Sequence, residues 1–393
     1  MTDGGILTRQ EALDALFARW TPRAGTETAA VADALGRVAA VDARAVHDLP
    51  VVRASAMDGV GVSSARFFGG APDTSSWREG EDYVRADTGD DFDDRFDAVV
   101  RIESVTFLDG GGFKLDGDAR VTAGMNVRPR GSAVRRGDTL VRAGTRLRPF
   151  DLAALVMGGV TEVEVRARPT VAFIPTGSEL VAPGAAPKRG RNIDCNSIMA
   201  EKMLEEFGAV PYMFPISRDD PADLRAAIDK AAAAADIIIV NAGSSKGGED
   251  YNTAALRERG ELINHYVAAA PGRPMSIALL DGKPVINVPG PPMAAYFVMD
   301  WCVGAVVRRF LGVEQPAGKR VTATLTAELG DSGKMEVLRK LRVVKTAGGY
   351  EATPAGRRGA PVCEALTANG QYVTAPGAGP VLAGAEIEIE LLR

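Results

Sequence analysis

The spacing of apolar side chains changes several times along the chain, from helical patterns to strand-like ones. Residues 8–20, 26–40 and 149–159 carry apolar positions three and four residues apart, and each predicts a helix or a helical turn. Between residues 50 and 145 the apolar runs become short and are separated by Gly and Asp turns, which is typical of β-strands. This pattern predicts a small β domain inserted into a helical framework.

The segment from 168 to 312 has a different order, in which strand-like runs alternate with helical ones. Three apolar runs predict its strands, at residues 170–174, 237–240 and 284–288. Helices are expected where Asn196 and Asp220 stand as capping residues, and again over 293–311. Because strands and crossover helices alternate at this spacing, the segment predicts a parallel α/β sheet.

The last segment, from 319 to 393, returns to short strand-like runs and predicts a β-barrel or sandwich. The chain is therefore expected to be a multidomain protein of α/β and β parts. The predicted domains are a discontinuous helical domain (1–49 and 146–167), an inserted β domain (50–145), an α/β domain (168–315) and a C-terminal β domain (316–393).

Composition narrows the class of protein. Hydrophobic residues make up 46% of the chain, charged residues make up 25%, and the formal net charge is −5. These values are typical of a globular protein, and the negative net charge does not predict the basic surface that binds nucleic acid. No stretch reaches the ~18 uncharged apolar residues of a membrane helix, and the start MTDGGILTRQ lacks the pattern of a signal peptide. We therefore expect a cytoplasmic protein with no membrane or nucleic-acid partner.

Cysteine and histidine are scarce, which limits the metal chemistry of the chain. Cys195, Cys302 and Cys363 lie far apart, and the histidine count is 2. This usage favours a reducing compartment and argues against a disulfide framework or a Cys- or His-based metal centre.

The turns after the three predicted strands are the candidates for binding chemistry. In a parallel sheet such turns gather at the carboxyl edge, where their backbone N–H groups suit phosphate or carboxylate anions. The candidate residues are Thr176, Gly177 and Ser178 in the first turn, Gly243, Ser244, Ser245, Lys246 and Gly247 in the second, and Pro289 and Gly290 in the third. Gly-rich turns also occur in α/β proteins that bind no phosphate, but three on adjacent strands favour a binding role.

Two carboxylates, Glu179 and Asp250, stand inside these turns. A carboxylate beside a bound phosphate is unfavourable unless a cation lies between them, so the pair predicts a Mg²⁺ site that shares its ion with substrate phosphates. The alternative is that each carboxylate caps a helix.

Two further residues carry weaker signals. Arg273 stands between prolines in PGRP, where a guanidinium could bind an oxyanion, although a solvated surface arginine fits equally well. Asp58 precedes a glycine and by itself indicates only a tight turn.

Seven segments, in order, resemble motifs of the MoeA/gephyrin family, the molybdopterin molybdenumtransferases. Each is short, but together they cover nearly the whole chain. They are Pro50 with Ser55–Gly59, Thr88–Gly89 with Asp97–Val100 and Glu103, Gly124–Arg128 with Gly131, Pro175–Leu180, Gly248–Tyr251, Pro271–Pro274, and Pro289–Pro292.

The resemblance implies a homodimer with a MoaB/MogA-like parallel-sheet α/β domain. It implies Mg²⁺-assisted cleavage of adenylylated molybdopterin (molybdopterin-AMP), delivery of molybdate or tungstate to the dithiolene, and release of AMP. Asp58, Glu179 and Asp250 would take the catalytic acidic roles, Glu179 and Asp250 would hold the metal, and Arg273 would bind the oxyanion. A molybdopterin adenylyltransferase and apo-molybdoenzymes are the further partners that it implies.

The chain also departs from the family pattern. Ala133 stands where the family usually has Asp, Pro291 replaces the Asn of P-G-N-P, and the loop from Ala242 differs from the usual Gly-Gly-Val-Ser. These departures fit a specialised branch, for instance one that handles tungstate. They also fit an alternative function, a catalytically impaired paralogue that binds molybdopterin as a scaffold or carrier. A third reading, a molybdopterin adenylyltransferase, would share the α/β domain but not the extra β domains.

Overall fold

The described part of the chain forms two compact units. The structure, a computed structural model, describes residues 6–117, 120–186, 188–242, 256–315, 318–356, 364 and 366–392. One unit comprises Thr26–Arg166, and the other comprises Met1–Gly25 with Ala167–Arg393. Among the described residues, no helix has the length and apolar character that a membrane crossing requires. The finer division predicted from the sequence, into four domains, stays a prediction.

Helix α1 (Arg9–Phe17) begins at the capping box that the sequence predicts. The Thr8 hydroxyl accepts a hydrogen bond from the Glu11 N–H at 3.3 Å, and the Glu11 carboxylate accepts one from the Thr8 N–H at 2.8 Å. Two N–H groups that the start of a helix leaves without partners are thereby satisfied.

The unit Thr26–Arg166 consists mainly of short strands, as the pattern of residues 50–145 predicts. Its strands are β1 (Thr26–Ala30), β2 (Ala43–Arg44), β3 (Ala54–Ser55), β4 (Gly59–Val62), β5 (Tyr83–Ala86), β6 (Ala98–Arg101), β7 (Val105–Phe107), β8 (Phe113–Leu115), β9 (Val127–Arg128), β10 (Thr139–Val141) and β11 (Glu162–Arg166), with helix α2 at Pro149–Met157. Strands β5, β4 and β6 form an antiparallel sheet in that order. Val60, Tyr83 and Phe113 lie in its apolar core.

The helix predicted over residues 26–40 is wrong. Its first part is strand β1, which pairs with β11 in antiparallel register, and only residues Val31–Asp33 form a 3₁₀ turn. The alanines of this stretch favour a helix locally, but the pairing with β11 supplies backbone partners that the local sequence does not reveal.

The second unit contains the α/β part of the chain. Its elements are β12 (Thr170–Pro175), β13 (Leu180–Val181), β14 (Asn192–Ile193), α3 (Asn196–Phe207), β15 (Val210–Met213), α4 (Pro221–Ala234), β16 (Ile237–Ala242), β17 (Glu261–His265), β18 (Ala269–Ala270), β19 (Ser276–Leu280), β20 (Lys283–Pro289), α5 (Pro292–Val298), a π-helical turn (Met299–Val303) and α6 (Gly304–Leu311). The three predicted strands are confirmed, and the helix predicted over 293–311 is interrupted by the π-helical turn.

The sheet is mixed, with the order β15–β12–β16–β20–β19–β17. Its first four strands are parallel, as predicted, whereas β19 and β17 are antiparallel additions at one edge. Helix α4 packs on one face, where Leu224 and Ile228 join Ile174 and Ile238 in a buried cluster. The connection from β12 through α3 to β15 and the connection from β15 through α4 to β16 run in opposite directions across the sheet. Because such crossovers between parallel strands are right-handed, α3 lies on the face opposite to α4.

The C-terminal segment forms a closed β-barrel. Its strands are β21 (Arg320–Leu325), β22 (Glu336–Thr346), β23 (Gly349–Pro354), β24 (Gly370–Thr374) and β25 (Glu386–Leu391). They pair in the order β22–β23–β21–β25–β24, and β24 pairs again with β22, which closes the ring. The prediction of a C-terminal barrel or sandwich is therefore confirmed as a barrel.

A lysine of the barrel packs against helix α5. The Lys340 ammonium on β22 lies 4.3 Å from the ring centroid of Tyr296 and 4.9 Å from that of Phe297. Burial lowers the pKa of Lys340 to about 8, and the nearby charge of Asp300 acts in the opposite direction. This contact joins the barrel to the helix that begins at the candidate site described next.

Candidate active site at the carboxyl edge of the sheet

A polar pocket lies where the parallel strands end. Strands β12, β16 and β20 are neighbours and run parallel, so the turns that follow them meet at one edge of the sheet. A cavity of about 420 Å³ opens there. Its lining residues are Thr176, Glu179, Leu180, Asn192, Ile193, Asp194, Cys195, Asn196, Asn241, Gly290, Pro291 and Pro292. The edge predicted from the sequence is thus the edge that carries the pocket.

Asn241, at the end of β16, ties the three strand ends together. Its side-chain N–H₂ donates to the carbonyls of Val288 at 3.2 Å and of Pro289 at 2.9 Å. The main-chain carbonyl of Asn241 accepts hydrogen bonds from the Thr176 N–H at 2.9 Å and from the Thr176 hydroxyl at 3.1 Å. Since Asn241 is only 3% exposed, these bonds form in a water-poor environment in which each unmade bond is costly.

The start of helix α3 joins the same network. The Asn196 side-chain N–H₂ donates to Asn241 Oδ1 at 3.0 Å and to the Gly290 carbonyl at 2.8 Å. The capping role that the sequence assigns to Asn196 is wrong. Asp194 performs it, since its buried carboxylate accepts from the Ser197 N–H at 3.1 Å and from the Ser197 hydroxyl at 2.5 Å.

The first turn does not present its backbone N–H groups to a ligand. The Thr176 N–H donates to Asn241, the Gly177 N–H donates to the Ser217 carbonyl at 3.1 Å, and the Ser178 N–H donates to the Asp219 carboxylate at 2.9 Å. The expected backbone cradle over these residues is therefore absent, because each N–H already has a protein acceptor. Cofactor binding by Thr176, Gly177 and Ser178 stays a prediction that must operate through other atoms.

Glu179 lies at the pocket wall, half-buried. Its carboxylate accepts no hydrogen bond and forms no ion pair with any described residue. Gly177 makes room for it, since a Cβ at Gly177 would lie 2.8 Å from Glu179 Oε2. The carboxylate is thus positioned at the cavity and keeps its oxygens available for a ligand or a cation.

The third turn, Pro289–Pro292, contributes Gly290, Pro291 and Pro292 to the pocket wall. Pro289 and Gly290 turn their carbonyls toward the amides of Asn241 and Asn196. Since three of the four residues are prolines, Gly290 supplies the only backbone N–H of this segment. Pro291, which replaces the Asn of the family motif, places an apolar ring on the pocket surface.

Arg273 lies at the same edge of the sheet but does not line the pocket. It precedes β19, whose first residue pairs with Asn287 near the end of β20. The guanidinium is exposed, with its central carbon 5.8 Å from the ring centroid of Tyr266. The adjacent Gly272 packs against α5, since a Cβ there would lie 3.0 Å from Val298.

The second predicted turn lies outside the described residues. It contains Gly243, Ser244, Ser245, Lys246 and Gly247, together with Asp250. Among the residues that are described, no group of three or more His, Cys, Asp or Glu side chains is arranged to hold a metal ion. Metal binding by Glu179 and Asp250 therefore stays a prediction.

Asp58 belongs to the unit Thr26–Arg166, where it is held by Thr88. The exposed carboxylate accepts the Thr88 hydroxyl and the Thr88 N–H, each at 2.7 Å, and these bonds hold the pKa of Asp58 below its ordinary value. The next residue must be glycine, since a Cβ at Gly59 would lie 2.0 Å from the Val100 carbonyl oxygen. The segment Met57–Gly59 is thus a fixed turn that presents an ionised carboxylate.

Replacing Thr88 with Val tests this arrangement. The change removes the hydroxyl donor and keeps the backbone N–H, so we expect the pKa of Asp58 to rise toward its ordinary value, as measured by carboxyl-carbon NMR titration. Thr106→Val, on the exposed face of β7, is the matched control and should leave that pKa unchanged. An unshifted Asp58 titration in Thr88→Val would contradict the assigned bond.

The thiols of the chain offer a direct probe of the pocket. Cys195 lines the cavity and is exposed, whereas Cys302 is fully buried and burial raises the pKa of its thiol. Because alkylation needs both access and thiolate, we expect iodoacetamide to modify Cys195 about tenfold or more faster than Cys302, as measured by peptide mass spectrometry. Cys363→Ser protein keeps the third thiol out of the measurement. Labelling of Cys195 as slow as that of the buried Cys302 would mean that the pocket is closed.

The residues that organise the pocket were not all visible in the sequence. Thr176, Glu179 and Gly290 were singled out by their turns and do line it, whereas Asn241 and Asp194 were not recognised. A signal did exist, since an asparagine at the end of the apolar run 237–240 is a polar group expected to be buried and therefore bonded.

Comparisons with known proteins show which family the sequence and the fold resemble. Residues 7–159 match the description "MoeA N-terminal region (domain I and II)", and residues 172–309 match "Probable molybdopterin binding domain". A molybdopterin molybdenumtransferase of Haemophilus influenzae is 25% identical over 381 residues, which cover 93% of each chain. Molybdopterin molybdenumtransferase 2 of Mycobacterium tuberculosis is 28% identical over 324 residues, which cover 77% of this chain and 79% of the relative. The crystal structure of a molybdopterin biosynthesis MoeA protein from Pyrococcus horikoshii superposes with a TM-score of 0.78 at 26% identity, covering 99% of both chains.

Proposed function

Because the chain belongs to the MoeA family of molybdopterin molybdenumtransferases, we propose that it performs the metal-insertion step of molybdenum cofactor biosynthesis. The substrates are adenylylated molybdopterin and molybdate or tungstate. Water cleaves the phosphoanhydride, and AMP leaves. The two dithiolene thiols then bind the metal of the oxyanion, and their two protons leave with one of its oxo groups as water. The reaction depends on Mg²⁺.

The observation that carries this proposal is the charge of the pocket. Among the residues that the structure describes, its lining includes the carboxylates of Glu179 and Asp194 and includes neither Lys nor Arg. A phosphate group beside these carboxylates is repelled unless a cation offsets the charge. Mg²⁺ commonly uses one or two carboxylates together with substrate phosphates, so the donor set favours a metal-assisted reaction.

Glu179 is the described carboxylate that fits a metal ligand. Both oxygens of Asp194 already accept hydrogen bonds from Ser197, whereas Glu179 has no such partner among the described residues. Asp250, which lies outside those residues, is proposed as the second ligand. Held by these carboxylates, Mg²⁺ would supply positive charge against the negative charge that builds on the phosphate oxygens during cleavage.

Other residues of the chain position the substrate. Thr176 and Gly290 line the pocket and are proposed to contact the pterin nucleotide, while Arg273, at the same edge, is proposed to attract the metal oxyanion. Asp58 is proposed as a further catalytic carboxylate, and the low pKa that Thr88 maintains keeps it ionised.

We further propose that the active form is a homodimer. Helix α2 leaves apolar side chains exposed on one side, with Phe150 at 82%, Val156 at 60% and Met157 at 47% exposure. Exposed apolar patches of this kind mark interaction sites. Sedimentation velocity of the wild type and of Phe150→Asp checks this, since a dimer through α2 should dissociate in the variant.

The function is tested by one incubation with adenylylated molybdopterin, Mg²⁺ and molybdate or tungstate, followed by detection of AMP and of metallated cofactor. Formation of both products, lost on chelation of Mg²⁺, is the expected result. Binding of the nucleotide without AMP release would instead support the scaffold or carrier function that Ala133 and Pro291 favour. Adenylylation of molybdopterin by ATP would support the adenylyltransferase alternative.

A further inference from the structure

The barrel strand β22 contacts segments that adjoin two turns at the carboxyl edge of the α/β sheet. Glu336 and Val337, at the start of β22, lie opposite the two residues of β18 in parallel register. The Glu336 N–H also donates to the Ala268 carbonyl at 2.8 Å. Because β18 is followed directly by the segment 271–274, this end of β22 holds the turn that carries Arg273.

The side chain of Lys340, further along β22, holds helix α5. Its ammonium packs against the rings of Tyr296 and Phe297, at 4.3 and 4.9 Å from their centroids. Helix α5 begins at the pocket wall, where the Ala295 N–H donates to the Pro291 carbonyl at 2.9 Å. Since little more than one helical turn separates the wall from the two rings, a movement of the rings relative to β22 also moves the wall.

One strand therefore connects the two turns. Glu336 and Lys340 lie on the same strand, and four strand residues span about 13 Å. The turns also contact each other, since a Cβ at Gly272 would lie 3.0 Å from Val298 on α5. The spacing between the turn of Arg273 and the pocket wall is thus set by β22 and by the packing of α5.

Lys340 is the titratable part of this connection. Burial disfavours its ammonium and lowers its pKa to about 8, while the charge of Asp300 acts in the opposite direction. Separation of β22 from α5 would return the ammonium to water, so the contact becomes more favourable when Lys340 loses its proton. The other charged and titratable groups around the contact come from several elements, and they are Tyr296 on α5, Glu206 on α3, Arg308 on α6 and Glu390 on β25.

We propose that Lys340 is a positioning residue of the active site, which holds the pocket wall Gly290–Pro292 at a fixed spacing from the turn of Arg273. It acts through the rings of Tyr296 and Phe297 and not by contact with the substrate. The proposal rests on the proposed function for the ligands of the two turns, the nucleotide at the wall and the oxyanion at Arg273. The spacing itself can be tested without turnover.

The sequence offers a selective probe of both turns. Glycine follows proline at Pro183–Gly184, Pro271–Gly272, Pro289–Gly290 and Pro376–Gly377. Full-length protein labelled with ¹³C on proline carbonyls and ¹⁵N on glycine therefore gives one carbonyl–nitrogen signal for each pair in carbon-detected NMR spectra. In the wild type we expect the signals of Gly272 and Gly290 to shift with a midpoint near pH 8, because they follow the charge of Lys340. The signals of Gly184 and Gly377 should not share this midpoint.

Lys340→Met provides the comparison for this titration. Methionine fills a similar space between the rings but carries no proton to lose, so the shifts with a midpoint near pH 8 should disappear. Any titration within the pocket itself is common to both proteins. Lys345→Met, exposed on the same strand, is the matched control and should titrate as the wild type does. Lys340→Arg, which stays charged throughout this range, replaces Lys340→Met if thermal unfolding shows that the latter does not fold. Signals of Gly272 and Gly290 that are the same in the wild type and the variant would overturn the proposal.

Lys340→Ala tests the effect on the reaction. Loss of the side chain leaves α5 without this contact to β22, so we expect the KM for adenylylated molybdopterin to rise about fivefold while kcat for AMP release stays within about twofold. Lys340→Met should restore the KM to within about twofold of the wild type, because it refills the space between the rings. An unchanged KM in Lys340→Ala would show that the contact is only structural and would overturn the proposal.

The two arms separate this proposal from the proposed function. If the turns follow Lys340 in a protein that releases no AMP, the proposed function alone is rejected, and the dissociation constant of AMP with Mg²⁺ takes the place of KM. If Lys340→Ala does not fold, the NMR comparison decides the proposal.

Discussion

Glu179→Gln is expected to lower the rate of AMP release by about a hundredfold or more while the protein stays folded. The carboxamide has nearly the same size as the carboxylate, but it carries no charge to offset a divalent cation beside the substrate phosphates. Because the carboxylate of Glu179 has no partner among the described residues, its replacement breaks no hydrogen bond or ion pair within that part of the chain. The measurement is AMP release at saturating adenylylated molybdopterin over a series of Mg²⁺ concentrations, in which the variant should need more Mg²⁺.

Glu205→Gln is the matched control for this prediction. Glu205 is exposed on α3 and forms an ion pair with Lys202 at 2.9 Å, so its replacement should leave AMP release unchanged. Gly177→Ala provides an independent check, since the added Cβ would displace the Glu179 carboxylate and should lower the rate in the same direction. A Glu179→Gln protein that turns over within about threefold of the wild type would remove Glu179 from the proposed metal site.

The stability of the protein is expected to rise with pH above pH 8 because of Lys340. Its folded-state pKa, about 8, lies below the value of 10.5 for an unfolded chain. Between these values the unfolded state binds more protons, so the free energy of unfolding increases as pH rises. The full shift corresponds to roughly 3 kcal/mol, and partial exposure of the ammonium reduces the expected gain to about 2 kcal/mol.

Several charges act near Lys340 and set the background for this measurement. Burial raises the pKa of Asp300, while Lys340 and Arg308 lower it and Glu390 and Glu206 raise it again. The gain is therefore read as a difference, by urea unfolding of the wild type and of Lys340→Met at pH 7.5 and at pH 10.5. The wild type should gain about 2 kcal/mol relative to the variant.

Lys345→Met, exposed on the same strand, is the control for this comparison and should track the wild type at both pH values. Asp300→Asn removes the charge that raises the pKa of Lys340 and should enlarge the gain. Equal pH dependence in the wild type and Lys340→Met would show that Lys340 titrates as a solvated lysine.

Much of the α/β part was predictable because its strands are long apolar runs that end in turns. The runs at 170–174, 237–240 and 284–288 correspond to β12, β16 and β20, and the parallel pairing of β12 with β16 followed from the crossover helices between them. The antiparallel strands β17 and β19 were not predicted. Glu261–His265 mixes polar and apolar positions, and its pairing depends on β19, a partner that only the folded chain supplies.

Site residues were predictable from the sequence where a local turn motif contains them. They were not predictable where a hydrogen bond between residues distant in sequence positions them. Glu179 was found because a carboxylate in a Gly-rich turn is unusual. Asn241 and Asn196 are organised by each other, across 45 positions of sequence, and no local pattern relates them. The backbone cradle was expected from Gly-, Pro- and Ser-rich turns at the carboxyl edge of the predicted sheet, but the acceptors that occupy its N–H groups, Ser217 and Asp219, lie well downstream.

The prolines at Pro289, Pro291 and Pro292 also bear on how the pocket responds to a ligand. A proline ring fixes φ near −65°, so this wall has few conformations to lose when a ligand binds, and little ability to move aside for a larger one. Ordering of this turn should therefore add little to the entropic cost of binding. Selectivity for ligand size should follow, because the turn has the same shape with and without the ligand.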